Sequence, residues 1–299
     1  MKTGSKTVQY RKDGTIAQMT QGKTVTTFNT DGSHKVQNPT KSYTQKNAQV
    51  NGQNVVQRTY SSNNRTVVRN YNTYYRSGYS YHSYVPFVAY DPWFYGYCLH
   101  PWHPFSYTWA WAYDPWYSNY GYYYRPYSTY YGPSYWLTDY LIADSIRSNA
   151  QAANAAANRA EQAVHQVPQI TNDMKDQIRE QVEEVIRAHE KKEAVNVAET
   201  LRDAGRIFVV SEDIDVLVEG TEQQCSLTAG DLIKNREKVG DSDQFVKMIV
   251  VASKKGSCPA KTKIAISLVD LQEMQNAFAE RLEEGMDKLQ AERPDEKAK

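Results

Sequence analysis

Between residues 60 and 140 this chain of 299 residues gathers 22 of its 24 tyrosines, all six tryptophans and seven of its eleven prolines. A buried tyrosine or tryptophan needs a partner for its O–H or N–H, so rings in this number do not vanish into one apolar core. Such a segment either keeps one side wet, as a surface for a ligand or partner, or wraps over other elements. Its prolines keep the backbone extended or turning, not helical. Tyr90-Asp91-Pro92-Trp93 recurs 23 residues later as Tyr113-Asp114-Pro115-Trp116, and the copies lead into Gly96-Tyr97 and Gly121-Tyr122. Asp-Pro opens turns. The segment is therefore expected to be ordered, irregular coil that presents aromatic side chains from rigid bends.

The flanks read differently. Residues 7–59 are short polar strands between glycine turns, at Asp13-Gly14, Gln21-Gly22, Asp31-Gly32 and Asn51-Gly52. The two Asp-Gly turns lie 18 residues apart, which suggests a repeated hairpin. Strands this polar make a thin, two-sided sheet with weakly specified register unless something covers them, and the aromatic segment is the expected cover. Thr138 reads as an N-cap, opening a helix that runs to about Gln166 and stops at Pro168. A second helix follows Thr171, with Met174, Ile178, Val182, Val185 and Ile186 on one face.

From Arg206 the apolar period becomes two, with strands at 207–210, 214–218, 232–233, 245–251 and 263–266. They suggest a small antiparallel barrel of SH3-like size. Its closing element is a helix from about Leu268 with Leu271, Met274, Phe278 and Leu282 inside. The expected fold class is α+β in several parts. A β-hairpin sheet (1–59) lies under an aromatic coil cover (60–136), followed by a helical stalk or hairpin (137–200). A small barrel with its helix (201–290) and a disordered tail (291–299) complete the chain.

A net charge of +1 conceals an asymmetry. Residues 1–59 carry nine Lys/Arg against Asp13 and Asp31, whereas residues 151–299 carry 21 against 28 Asp/Glu. A basic front and an acidic rear can attract anionic polymers, or one molecule's head to another's tail. Mean hydropathy is −0.73 and the longest apolar stretch, Phe245 to Ala252, is strand-sized, so no membrane span is expected. Cys225 and Cys258 flank the strand-rich region in turn-like settings and suit a disulfide. That implies an oxidising, extracytoplasmic compartment, although the first residues lack a signal peptide's apolar core. Reduced thiols in a cytoplasmic protein are the alternative.

Three functional readings follow. The aromatic segment offers Tyr90, Trp93, Trp102, Trp109, Trp111, Tyr113 and Trp116 as ligand-binding rings, because rigid aromatic faces suit sugar rings and protein interfaces. Glycan or an envelope protein is the expected partner. Nucleic acid is not, since residues 60–140 carry only four arginines against three aspartates. Cys98-Leu99-His100-Pro101-Trp102-His103 places soft and borderline ligands together, and Cys98, His100 and His103 suit zinc or copper in a metal-dependent enzyme. No phosphate loop, nucleophile elbow or His-Glu-x-x-His run is present, so catalytic residues are not assigned. The Tyr-Asp-Pro-Trp copies and the closing Trp136-Leu137-Thr138-Asp139-Tyr140 resemble the Tyr/Trp/Pro-rich centres of uncharacterised bacterial proteins, over residues 60–146. That resemblance implies a bacterial origin and carries over no functional residue. The combined expectation is a non-enzymatic binding or scaffolding protein of a bacterial envelope. Self-assembly through the oppositely charged halves is the second reading.

Overall fold

The computed structural model describes residues 6–21, 24–37, 42–62, 65–76, 78–154 and 169–297. The expected turn at Gly22, the helix end near Gln166 and the stop at Pro168 lie outside them. The N-terminal strands are β1 (Lys6–Tyr10), β2 (Ile16–Gln21), β3 (Thr24–Phe28), β4 (His34–Gln37), β5 (Ser42–Val50), β6 (Gln53–Ser62), β7 (Arg65–Arg76) and β8 (Tyr79–Val85). They form one eight-stranded antiparallel meander in chain order. The hairpin repeat is realised in its turns. Asn29 N–H donates to the Ser33 carbonyl at 2.8 Å, as Arg11 does to Thr15 at 2.7 Å. Asp13 Oδ1 accepts from the backbone and hydroxyl of Thr15, and Asp31 Oδ1 from those of Ser33. Gly14 and Gly32 take the same left-handed backbone, at φ +83° and +81°.

The sheet runs 26 residues beyond the expected hairpin region, so the aromatic segment begins as strand, not coil. Tyrosine suits a pleated, half-buried surface, and Gly78, at φ +85°, turns β7 into β8. From there the chain forms α1 (Pro92–Leu99), α2 (Pro115–Tyr120), α3 (Pro133–Asn154), α4 (Asn172–Glu190) and α5 (Val197–Thr200). Both Asp-Pro bends open helices, with proline as the first helical residue. Thr138 is no cap. It lies inside α3 and donates its hydroxyl to the Ser134 carbonyl at 2.7 Å. Thr171 does cap α4, accepting from Met174 N–H at 3.3 Å.

The second sheet comprises β9 (Ile207–Val209), β10 (Ile214–Val218), β11 (Gln224–Leu227), β12 (Leu232–Asn235), β13 (Phe245–Ala252) and β14 (Lys263–Ser267), followed by α6 (Leu268–Glu292) and α7 (Pro294–Lys297). Its order is β11-β10-β14-β13-β12-β9, an open antiparallel sheet and not the expected closed barrel. The physical reason is α6. Leu268, Leu271 and Met274 pack on the sheet's inner residues, including Val216, Ile233, Met248 and Ile264, so the strands bury their apolar face without curling closed. Cys225 and Cys258 form a disulfide that ties β11 to the loop before β14.

The same helix receives the first sheet and the aromatic segment. Arg58 forks both carboxylate oxygens of Glu273 at 2.7 Å, and Arg69 bridges Glu280 and Glu284. Tyrosine hydroxyls then follow one another along its acidic side. Tyr71 donates to Glu280, Tyr84 to Glu283 at 2.6 Å, Tyr90 to Asp287 at 2.7 Å and Tyr107 to Glu292 at 3.2 Å. Tyr97 continues the row to Asp295 on α7 at 2.5 Å. Bonds to an ionised acceptor are the stronger kind. The basic front, the tyrosines and part of the acidic rear thus meet within one chain. The rings pack with α3, α4 and α6 and not over the first strands as expected, and among the described residues no apolar side chain before Val55 is buried.

Candidate functional site

A cleft of about 250 Å³ opens between α3, α6 and the coil that leads into α2. Helical spacing explains the α3 wall: Trp136, Tyr140, Ala143, Asp144 and Arg147 recur at intervals of three and four, so one face carries them all. Lys288 and Glu292, four residues apart on α6, face them. The coil supplies Tyr107, Trp109, Trp111 and Asp114, and the start of α2 supplies Trp116. The helices approach closely at Gly285, where an added Cβ would stand 2.7 Å from the Tyr140 ring and 3.1 Å from Leu137. A larger residue there would press on both side chains, so glycine permits the close approach of the two helices.

Four of the rings form a column. Trp111 stacks on Trp109 at 5.3 Å, Trp109 on Trp136 at 4.7 Å and Trp136 on Tyr140 at 5.8 Å. Tyr107 meets Trp109 edge-on at 5.1 Å. Trp109 is fixed from behind by a buried relay: its indole N–H donates to Tyr130 Oη at 2.7 Å, and Tyr130 donates to Asp139 Oδ2 at 2.7 Å. Asp139, fully buried, also accepts from the Tyr124 hydroxyl at 2.8 Å and the Tyr127 N–H at 2.7 Å. Lys175 Nζ stands 3.9 Å from Asp139 and 3.7 Å from the centre of the Tyr127 ring. Burial raises the Asp139 pKa and lowers that of Lys175, each against the pull of its partner. Burial and the nearby carboxylate push Tyr124 and Tyr130 well above the usual phenol range, so both remain neutral donors. A buried network with every member bonded is rigid, and this one holds the rear of the column.

The residues expected to bind ligand fall in different places. Trp109, Trp111 and Trp116 line the cleft. Tyr113 is 85 % exposed outside it, and Trp93 is half exposed beneath the Arg293 guanidinium, 4.8 Å from its ring. Tyr90 and Trp102 are buried, Tyr90 bonded to α6 and Trp102 packed between Tyr97 and Phe105. The other cleft residues lay outside the expected set. Trp136, Tyr140, Asp144 and Arg147 carried a helical spacing as a signal, whereas Lys288 and Glu292 are joined to them only by the fold.

Cys98, His100 and His103 do not assemble a metal site. Among the described residues no group of three His, Cys, Asp or Glu side chains is placed to hold an ion. Cys98 is buried on α1, and burial pushes its thiol up to about 12. His100 follows the last turn of α1 as its C-cap. No protein-family model matches this chain, and searches of curated proteins and of solved structures find no match.

Proposed function

We propose that the protein is a non-enzymatic binding protein of a bacterial envelope that takes a sugar in the cleft between α3 and α6. The observation that carries this reading is the composition of that cleft. A rigid aromatic column shares one small recess with Asp114, Asp144, Arg147, Lys288 and Glu292. Sugars present hydroxyls and C–H surface at once, and a recess of mixed polar and aromatic lining meets both needs. A volume of about 250 Å³ suits one or two sugar units. Trp111 is the ring of the column that is only partly buried, so it is the one a ligand can reach. The Cys225–Cys258 disulfide supports an extracytoplasmic setting. Among the described residues no helix is long and apolar enough to cross a membrane.

Glycan-array binding by the full chain, with Trp111→Ala and Tyr113→Ala as variants, tests the reading. Trp111→Ala is expected to lose at least about 10-fold in affinity, the effect of removing one well-packed aromatic anchor. Tyr113→Ala, outside the cleft, is expected to bind as the parent does. Binding that survives Trp111→Ala unchanged would move the contact elsewhere.

A further inference from the structure

The charges of the cleft are unevenly engaged. Asp114 accepts from the Trp116 indole N–H at 3.3 Å, Asp144 lies 3.3 Å from the Arg281 guanidinium, and Glu292 accepts from Tyr107 at 3.2 Å. Arg147 and Lys288 line the same recess, yet among the described residues neither has a carboxylate within 4.0 Å. Asp144 precedes Arg147 by three residues and Glu292 follows Lys288 by four, spacings that favour a pair along a helix. Both carboxylates are bonded elsewhere instead. Lys288 leans over the Tyr140 ring at 4.9 Å, at the end of the column opposite Trp111.

The rings leave no room for a competing cation. Trp111, Trp109, Trp136 and Tyr140 stack on one another, so the faces between them are covered. The Lys288 ammonium lies over the Tyr140 ring, so that face already holds a cation. A cationic ligand would require open faces, as in an aromatic cage. Two cations without a carboxylate partner in one recess favour an anion.

Resting on the sugar-binding reading above, we propose that the ligand is an anionic sugar whose carboxylate or phosphate is held by Arg147 and Lys288. The sugar ring lies toward Trp111, and the free oxygens of Asp114 and Glu292 accept from its hydroxyls. Arg147 supplies a planar fork and Lys288 a point charge, the two ways side chains hold such oxyanions.

Calorimetric titration of the full chain with three probes tests this: an oligouronic acid, its carboxyl-reduced neutral counterpart, and a sugar monophosphate. The expected result is that one anionic probe binds at least about 10-fold more tightly than the neutral one, with an advantage that shrinks as salt is added. The double variant Arg147→Gln/Lys288→Gln is expected to abolish that advantage while leaving the thermal midpoint unchanged, since both side chains are exposed. Which anionic probe prevails assigns the charge to carboxylate or phosphate. Equal binding of neutral and anionic probes overturns the inference and leaves the sugar reading standing, as does a preference that survives the double variant. If the oligouronic acid, the neutral sugar and the phosphate all fail to bind, the sugar reading falls and takes the inference with it.

Discussion

The two halves of the eight-stranded sheet are the same antiparallel meander and are held in opposite ways. In β6–β8 the inner face lies on α6, with Val56, Tyr71 and Tyr84 buried and Arg58 and Arg69 clasping three glutamates. Among the described residues of β1–β4 no apolar side chain is buried. Those strands rest on their backbone ladder and on two identical Asp-Gly turns. A repeated turn therefore supplies register and shape by local chemistry alone. Cooperative stability requires a second layer, and only one half of this sheet has one.

The largest expected contrast comes from the clasp. Arg58→Ala removes both bonds to Glu273 and the guanidinium that lies 4.2 Å from the centre of the Tyr71 ring. The loss should be about 2–4 kcal/mol, read from urea denaturation, with Glu273's partial exposure keeping it below the cost of a fully buried charge. Lys35→Ala, on the exposed surface of β4, should stay within about 0.5 kcal/mol. Equal losses at the two sites would mean that the free half is as tightly integrated as the clasped one.

A smaller effect should come from acid. Glu283 accepts from Tyr84 at 2.6 Å and is hydrogen-bonded to His189 Nε2 at 3.1 Å. Burial raises its pKa, but the bonds from His189 and Tyr84 outweigh burial and hold it below the ordinary 4.5. A carboxyl depressed on folding contributes stability that is full above about pH 4.5 and disappears as pH falls through its folded value. Between those limits the wild-type urea midpoint should fall more steeply than that of Glu283→Gln. Parallel curves would remove Glu283 from the acid response and leave the clasp to Arg58 and Arg69.

How much of this was legible beforehand depends on the range over which each signal acts. Asp13-Gly14 and Asp31-Gly32 announced their hairpins because a turn is chosen within four or five residues. Leu271, Met274, Phe278 and Leu282 announced α6 because helical period is a local property, and all four are buried as expected. Cys225 and Cys258 were readable as a staple from their flanking turns. The extent of the first sheet was not, since Asn70 to Tyr75 mixes strand-forming tyrosines with turn-forming asparagines and its cover is a helix some 200 residues later. Nor was the open second sheet, because strand count alone does not say whether a helix will close the core. In the cleft, Trp109, Trp111 and Trp116 stood out as rings in a rare composition. Trp136 and Tyr140 went unread as one helical stripe, since Thr138 looked like a cap and split them. Lys288 and Glu292 were invisible. Nothing local distinguishes a lysine that overhangs a cleft from any other solvated one, and the total acidity of the rear gave no hint that one helix would receive a row of tyrosine hydroxyls.

The smallest expected effect tests the free half directly. Asp31→Ala removes the two bonds that its Oδ1 accepts from Ser33, while the Asn29–Ser33 backbone bond remains possible. In a region whose described residues include no buried apolar side chain, such a loss should be felt locally. Amides of β3 and β4 should exchange faster, and the global urea midpoint should not move. Acid should act in the same way on the parent protein. Hydrogen bonds from the Ser33 side chain and backbone hold the Asp31 carboxyl below its ordinary 3.8, and those from Thr15 do so for Asp13. Each turn therefore keeps its carboxylate contribution above about pH 3.8 and loses it as pH falls through the folded value. A global midpoint that dropped in Asp31→Ala, as it should in Arg58→Ala, would show that opening one turn unlocks the whole molecule. The free strands would then draw their stability from α6 through β5 and β6, and the sheet would behave as one cooperative unit.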